Sequence, residues 1–129
     1  MGLTRVKVFV RNPETNVGRE VELVVDTGSV FTWISRRVLE EIGVKPRRVR
    51  LFRTVDGRVV SREVGVVTIA YEGYGGDVEV VFAEEGDVMV MGVTTLETLG
   101  LEVDPVTGKL RYAGLLALWT RFASKSSWL

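Results

Sequence analysis

Apolar and polar residues alternate along the first part of this 129-residue chain with the two-residue period of a β-strand. The alternation predicts one strand over residues 6–10 and a second over 19–26, separated by a turn cluster at 12–16. The second strand begins by alternating and ends almost wholly apolar. We therefore expect it to run from the edge of a sheet into the core.

The rest of the pattern predicts short strands joined by turns. Two strands are expected over residues 50–54 and 59–70, and the Asp-Gly dipeptide between them is typical of a hairpin turn. Further strands, each bounded by turn residues, are predicted over residues 78–82, 88–91, 101–103 and 110–112.

Two short helices interrupt the strands. Ser35 is placed to cap a helix over residues 36–42, and the glycine that follows suits the left-handed position that ends a helix. Thr94 followed by Glu97 predicts a capping box for a second helix, which Gly100 closes. The predicted fold class is therefore all-β: one β-rich domain with two short helices.

Composition narrows the chemistry that this chain performs. The sequence contains no cysteine and no histidine, which excludes disulfides, thiolate catalysis, the usual general base of serine hydrolases and the commonest zinc ligand. The remaining carboxylates are too scattered to predict a metal site. The 17 basic and 17 acidic side chains cancel, so no net field attracts nucleic acid or an anionic membrane.

Targeting and membrane signals are missing from the pattern. The start of the sequence has no apolar core of signal-peptide length, and no apolar run is long enough to span a membrane. We therefore expect a cytoplasmic protein. Glutamine is absent and arginine greatly outnumbers lysine, a composition that favours a thermophilic source.

One carboxylate is delivered to a turn by the apolar end of the second predicted strand, in the sequence Val24-Val25-Asp26-Thr27-Gly28-Ser29. In a chain without histidine or cysteine, Asp26 is the only plausible catalytic group. The alternative is a turn aspartate that caps its own loop.

Four features of the sequence resemble the aspartic proteases, and among them the small retropepsin-like members of cellular and archaeal type. The first is the apolar strand that ends in Asp-Thr-Gly. The second is Trp33, seven residues after Asp26 and followed by Ile34, which is similar to the pepsin-like pattern. The third is the Val90-Met91-Gly92 element before a short helix, and the fourth is the closing hairpin between 101 and 110.

This resemblance implies an acid protease fold, a closed β-barrel over residues 1–114, and an aspartic endopeptidase that needs no cofactor. Two carboxylates about 3 Å apart share one proton, so one accepts a proton from water while the other polarises the peptide carbonyl. The sequence has a single Asp-Thr-Gly. Asp26 therefore needs the Asp26 of a second copy, which predicts an obligate homodimer acting on peptide or protein substrates.

The neighbours of Asp26 acquire roles from the same resemblance. Thr27 interlocks with its symmetry mate, Gly28 lets the backbone pass close to the carboxylate, and Ser29 donates a hydrogen bond to the outer carboxylate oxygen. Gly92 permits a tight crossing beside the Asp26 loop. Trp33 has two equally weighted interpretations, ordinary core packing and a wall of the substrate pocket.

The hairpin at Val55-Asp56-Gly57-Arg58 corresponds to the flap that closes over substrate in this family. Two other positions depart from the retroviral pattern, in which an acidic residue after the catalytic loop pairs with an arginine after the later glycine. Here those positions are Val30 and Val93, so the resemblance implies an apolar contact.

Three further segments have competing interpretations. The basic stretch over residues 45–53 is interpreted as an exposed strand face whose charges discourage edge pairing, rather than as a nucleic-acid site. Glu84, Glu85 and Asp87 are interpreted as a solvated acidic turn. The apolar tail at 115–129 packs on its own subunit, across the dimer or on a membrane surface, and we expect the dimer interface.

The alternative to a protease is a dimeric binding or scaffold module with the retropepsin fold and little or no activity.

Overall fold

The structure of the chain, a computed structural model, describes residues 4–114. Its elements follow one another in the order β1 Thr4–Arg11, β2 Gly18–Val25, β3 Thr32–Ser35, α1 Arg36–Glu41, β4 Arg48–Arg53, β5 Val59–Tyr71, β6 Tyr74–Ala83, β7 Val90–Met91, α2 Val93–Leu99, β8 Leu101–Val103 and β9 Leu110–Tyr112. The all-β class with two short helices is confirmed. The predicted tail at 115–129 lies outside the described residues.

The strand pairings form a ring. The large sheet has the order β1-β2-β7-β3-β6-β5-β4, and an additional pairing between β1 and β5 joins the two sides. Strand β4 lies outside this ring because, among the described strands, it pairs only with β5. The remaining two strands, β8 and β9, form a separate hairpin.

The core lies inside the ring and is built mainly from the alternating valines and leucines of the strands. In β1 the residues Val6, Val8 and Val10 are buried, while Lys7 and Phe9 between them are exposed. Every second residue of a strand points to the same face, so this alternation places one face of β1 in the core. Phe82, Leu23, Ile34 and Met91 are among the largest fully buried side chains.

A smaller apolar layer covers part of the opposite face of the sheet. Val90 pairs with Trp33, Trp33 pairs with Val81, and Val81 pairs with Val64. Residues that pair in register share a face, so these four side chains form one row across β7, β3, β6 and β5. The three valines are buried and Trp33 is half-buried.

Both helices occur where predicted, but neither is capped by the predicted side chain. Ser35 precedes α1 without making a capping hydrogen bond. The N-cap of α2 is Gly92, and Thr94 lies inside the helix. The backbone N–H groups of Val93 and Thr94 instead donate to the carbonyl oxygens of the loop before β3. The prediction of a capping box is therefore wrong, because a loop distant in sequence supplies the hydrogen-bond acceptors for the first turn of α2.

The helix ends agree with the sequence. Gly43 has φ +78° just after α1, and Gly100 has φ +73° at the end of α2. This left-handed region is open to glycine at little cost.

Several strands differ in length from their predictions, and β3 was not predicted. Strand β6 begins at Tyr74 rather than residue 78, after a tight turn in which Glu72 and Gly73 both have positive φ. Gly75 and Gly76 follow this turn. Because glycine has no side chain, they interrupt the alternation of apolar and polar residues from which a strand is predicted. Strand β7 covers only Val90–Met91.

Within residues 4–114, none of the helices has the length and apolar character that a bilayer crossing requires.

Candidate active site

Asp26 follows the last residue of β2, at the point where β2 runs parallel to β7. The pairing of Val25 with Met91 continues one residue further, because the Asp26 N–H donates to the Met91 carbonyl oxygen at 3.0 Å. The chain then turns, and the Ser29 N–H donates back to the Asp26 carbonyl oxygen at 3.1 Å. We call residues 26–31 the site loop.

The Asp26 side chain is exposed to solvent, as are Thr27 and Gly28. Its Oδ1 accepts a hydrogen bond of 2.9 Å from the Gly28 N–H, the one side-chain hydrogen bond of Asp26 among the described residues. The loop therefore presents an oriented carboxylate outward rather than burying it. An exposed carboxylate on a fixed backbone is accessible to water, to a peptide and to a second subunit.

Ser29 does not make the predicted contact with Asp26 in the single chain. Its hydroxyl donates to the Phe31 carbonyl oxygen at 2.8 Å. Since a hydroxyl has one hydrogen to donate, Ser29 here braces the loop instead of the carboxylate. Thr27 is exposed and free to contact molecules outside the chain.

Two glycines allow the close approaches that the sequence predicted. A Cβ atom on Gly28 would lie 3.2 Å from Asp26 Oδ1. A Cβ atom on Gly92 would lie 2.3 Å from the Phe31 carbonyl oxygen and 2.8 Å from that of Ser29. No side chain fits at Gly92 without moving the site loop, so this glycine fixes how β7 passes the loop.

A buried pair of threonines locks the same crossing. The Gly92 N–H donates to Thr32 Oγ1 at 2.9 Å, and this oxygen lies 2.5 Å from Thr95 Oγ1. Both threonines are fully buried. In addition, the Val93 and Thr94 N–H groups donate to the Ser29 and Val30 carbonyl oxygens at 2.8 and 3.0 Å.

Thr32 and Thr95 were not identified from the sequence. A threonine in a strand is common, and only its tertiary partner shows that it is structural.

The hairpin predicted as a flap is formed. Thr54 N–H donates to the Arg58 carbonyl oxygen at 2.8 Å, and Gly57 has φ +88°. The hydrogen bond from the Thr54 hydroxyl, followed by those from Arg58, lowers the pKa of Asp56. Val55 at the tip is fully exposed. We call residues 48–63, which include this tip, the arm.

An aromatic cluster connects the arm to the site loop. The Phe52 ring lies 5.3 Å from the Phe31 ring, edge to face, and 5.2 Å from the Trp33 ring. Aromatic pairs in this range contribute about 0.5 to 1.5 kcal/mol beyond their buried area. Trp33 is therefore part of the apolar packing between the arm and the loop, and the sequence did not identify its partner Phe52.

The comparison with protein families agrees with this geometry. A family model described as aspartyl protease matches residues 13–103, a segment that contains the site loop, the arm and Gly92. The chain belongs to the aspartyl protease family. The resemblance found in the sequence is confirmed.

Two solved structures share the fold of this aspartyl protease. The EIAV protease complexed with the inhibitor HBY-793 superposes with a TM-score of 0.60 at 17% identity, covering 80% of this chain and 93% of that chain. The Simian Foamy Virus (mac) protease, a solution structure, gives a TM-score of 0.51 at 16% identity, covering 72% and 91%. Among curated proteins, no match was found.

Of the two valines that replace the retroviral charge pair, Val30 lies in the site loop of this aspartyl protease and Val93 lies beside it. Val30 is 59% exposed, and Val93 is half-buried at the start of α2. Among residues 4–114, no cluster of three or more carboxylate side chains is arranged to hold a metal ion.

The two charged segments are paired more extensively than the sequence predicted. In the basic stretch, Arg48 and Arg50 both donate to Glu79, at 3.1 Å each. In the acidic turn, residues 84–87, Asp87 binds Arg62 through two hydrogen bonds of 2.7 and 2.9 Å. The prediction of a solvated turn is wrong for Asp87, whose side chain is only 18% exposed.

Proposed function

We propose that this aspartyl protease is a homodimeric endopeptidase, in which Asp26 and the Asp26 of a second copy activate water against a peptide bond. The observation that carries the proposal is an outward-facing Asp26 carboxylate on a loop whose backbone is fixed by β7 and α2. The sequence supplies one such carboxylate for each chain, and the chemistry requires two.

The proposed reaction assigns complementary roles to the two carboxylates. The ionised one removes a proton from water, which attacks the peptide carbonyl carbon, while the protonated one donates to the carbonyl oxygen. Collapse of the tetrahedral intermediate breaks the carbon–nitrogen bond. The amine leaves with the proton that the first carboxylate took from water, and the second carboxylate regains its proton from a hydroxyl of the intermediate. Because the two groups exchange one shared proton, their titration belongs to the pair.

We infer a substrate path under the exposed tip of the arm, beside its contact with the site loop. Phe52 is on the side of the arm that faces Phe31 and Trp33, so the arm already lies against the residues that follow Asp26. A peptide bound there is covered by the arm and shielded from bulk water, which strengthens electrostatic interactions at the carboxylates.

The direct test combines peptide cleavage with measurement of mass. We expect the purified chain to cleave peptides from a mixed library and to sediment as a dimer, and Asp26→Asn to abolish cleavage while the dimer persists. Asp77→Asn is the matched control, because Asp77 is an exposed carboxylate on β6 that bonds Thr68. Cleavage by Asp26→Asn, or an active monomer, would contradict the proposal.

A mimic of the tetrahedral intermediate separates an active protease from an inactive scaffold. A hydroxyl-bearing peptide analogue that binds only the dimeric site stabilises the folded protein through linkage, by about 2.7 kcal/mol at a hundredfold excess over Kd. We expect its presence to raise the melting temperature of the natural chain. An unchanged melting temperature at saturating analogue supports the scaffold alternative.

The tail at 115–129 is proposed to contribute to the dimer interface. Its first residues, 115–119, are Leu-Leu-Ala-Leu-Trp, too apolar a segment to be left exposed to water. We expect deletion of residues 115–129 to lower the mass measured by light scattering from dimer to monomer. An undisturbed dimer after deletion rules this role out.

A further inference from the structure

The arm extends beyond the ring of strands. Residues 59–63 of β5 pair only with β4 among the described strands, and pairing with β6 begins at Val64. A two-stranded ribbon has little stability of its own in water. The direction in which the arm points is therefore set by its contacts with the rest of the chain, at its base and through Phe52.

The base of the arm is held on both of its faces by ion pairs. Arg62 and Glu63 are consecutive in a strand and point to opposite faces. On one face, Arg62 donates from Nε and Nη2 to the two oxygens of Asp87, and both side chains are less than one-fifth exposed. On the other face, Glu63 accepts from Arg36, which also donates to Glu84 at 2.9 Å.

Both ion pairs lead to the acidic turn. Asp87 N–H donates to the Glu84 carbonyl oxygen at 2.9 Å, and Glu84 N–H donates to Asp87 Oδ2 at 2.8 Å, so the two carboxylates belong to one closed turn. Asp87 contacts the arm directly, and Glu84 contacts it through Arg36. The acidic turn therefore contacts both faces of β5, at the point where the arm leaves the sheet.

The same segment of chain also fixes the site loop. Four residues after Asp87, the Met91 carbonyl accepts from Asp26, and Gly92 packs against the loop. One short stretch, residues 84–92, therefore contacts both the base of the arm and the site loop. The bidentate contact is the firmest part, because paired N–H···O bonds to a carboxylate fix orientation as well as distance.

We propose that the acidic turn clamps the base of the arm, and that Arg62 and Asp87 are positioning residues that set the arm over Asp26. The part of this inference that concerns substrate rests on the proposed function. The part that concerns the arm stands on its own. Without this contact the arm samples more positions. A peptide then binds only to the fraction of molecules in which the arm lies over Asp26.

The clamp is tested first without substrate, by hydrogen exchange in the full chain. We expect Arg62→Gln and Asp87→Asn each to speed exchange of the backbone amides of residues 48–53 about tenfold relative to those of β6. The double variant should show no more than either single one, since both act through one contact. Arg62→Lys, which keeps one donor group, should restore part of the protection.

Arg111→Gln is the matched control, because Arg111 pairs with Glu102 on the separate β8–β9 hairpin. It should leave the arm unchanged. If Arg62→Gln and Asp87→Asn speed amide exchange equally in the arm and in β6, or do not speed it in the arm, the proposed clamp is wrong. If Arg62→Gln does not fold, Glu63→Gln takes its place, because it removes the contact on the other face of β5. Its hydrogen exchange in the arm and in β6 is then compared with that of the natural chain.

Kinetics then tests the consequence for substrate. We expect Arg62→Gln to raise KM about tenfold with kcat nearly unchanged, because the closed complex, once formed, is the same. A fall in kcat at constant KM contradicts a positioning role. If the natural chain cleaves no peptide, the proposed function fails, while the exchange measurement still decides whether the clamp exists.

Discussion

Gly92 and Phe31 approach each other so closely that a Cβ atom on Gly92 would stand 2.3 Å from the Phe31 carbonyl oxygen. We expect Gly92→Ala to destabilise the protein by about 2 kcal/mol or more, because neither backbone yields without breaking the hydrogen bonds of the crossing. Urea unfolding monitored by circular dichroism measures this loss.

Gly75→Ala is the matched control for that substitution. Gly75 lies in β6, and a Cβ atom there would meet its nearest neighbour at an ordinary 3.5 Å. We expect a change within about 0.5 kcal/mol. Equal losses for the two alanines would show that the contact with Phe31 does not set the requirement for glycine.

Thr32 supports the site loop through a buried hydroxyl. Thr32→Val keeps the shape and leaves the buried Gly92 N–H without its acceptor, at a cost of about 1 to 3 kcal/mol. Thr68→Val on the exposed face should cost much less, since water replaces its bond to Asp77. Equal unfolding free energies for Thr32→Val and the natural chain would contradict the role of this hydroxyl.

The parts of the site that the sequence predicted are those fixed by local requirements. Asp26 and Gly28 are recognised from the apolar strand and the turn around them, and a Cβ atom on Gly28 would lie 3.2 Å from Asp26 Oδ1. Gly92 was expected from the resemblance alone, because the carbonyl oxygens that leave it no room for a side chain belong to Ser29 and Phe31. Thr32 and Thr95 are 63 residues apart. Their hydrogen bond depends on β3 and α2 meeting, which no local pattern encodes.

The incorrect predictions have the same origin. A capping box at Thr94 and Glu97 is a reasonable local expectation, but the N–H groups of the first turn find carbonyl acceptors on the site loop. The acidic turn appeared solvated because its partners, Arg62 and Arg36, lie far away in sequence. Tertiary contacts override local preferences at these places, and they are the contacts that position the site.

Acid should weaken the contact between Asp87 and Arg62. The hydrogen bonds from Arg62 lower the pKa of Asp87 below its ordinary value of 3.8, against the opposing effect of burial. A lowered folded-state pKa stabilises the protein above the unfolded-state value, and the stabilisation disappears as pH falls through the folded-state value. The relevant window therefore lies below about pH 4.

Unfolding of Asp87→Asn between pH 7 and pH 2.5 checks this expectation. We expect the variant to be less stable than the natural chain by about 1 to 2 kcal/mol near neutral pH. The difference should be constant down to about pH 5 and shrink below pH 4. The free energy of unfolding of Arg62→Gln should likewise approach that of the natural chain below pH 4. Differences that stay constant down to pH 2.5 would contradict the assignment.

The Phe52 ring is expected to hold the arm against the site loop. Phe52→Ala removes ring contacts with both Phe31 and Trp33, and we expect a loss of about 1 to 3 kcal/mol together with a red shift of Trp33 emission as water reaches the indole. The emission of Trp33 is isolated as the difference between each protein and its Trp33→Phe counterpart. Leu51→Ala is the matched control, because Leu51 is 72% exposed on the opposite face of β4. A similar loss and a similar shift in both alanine variants would show that the arm is not held by this cluster.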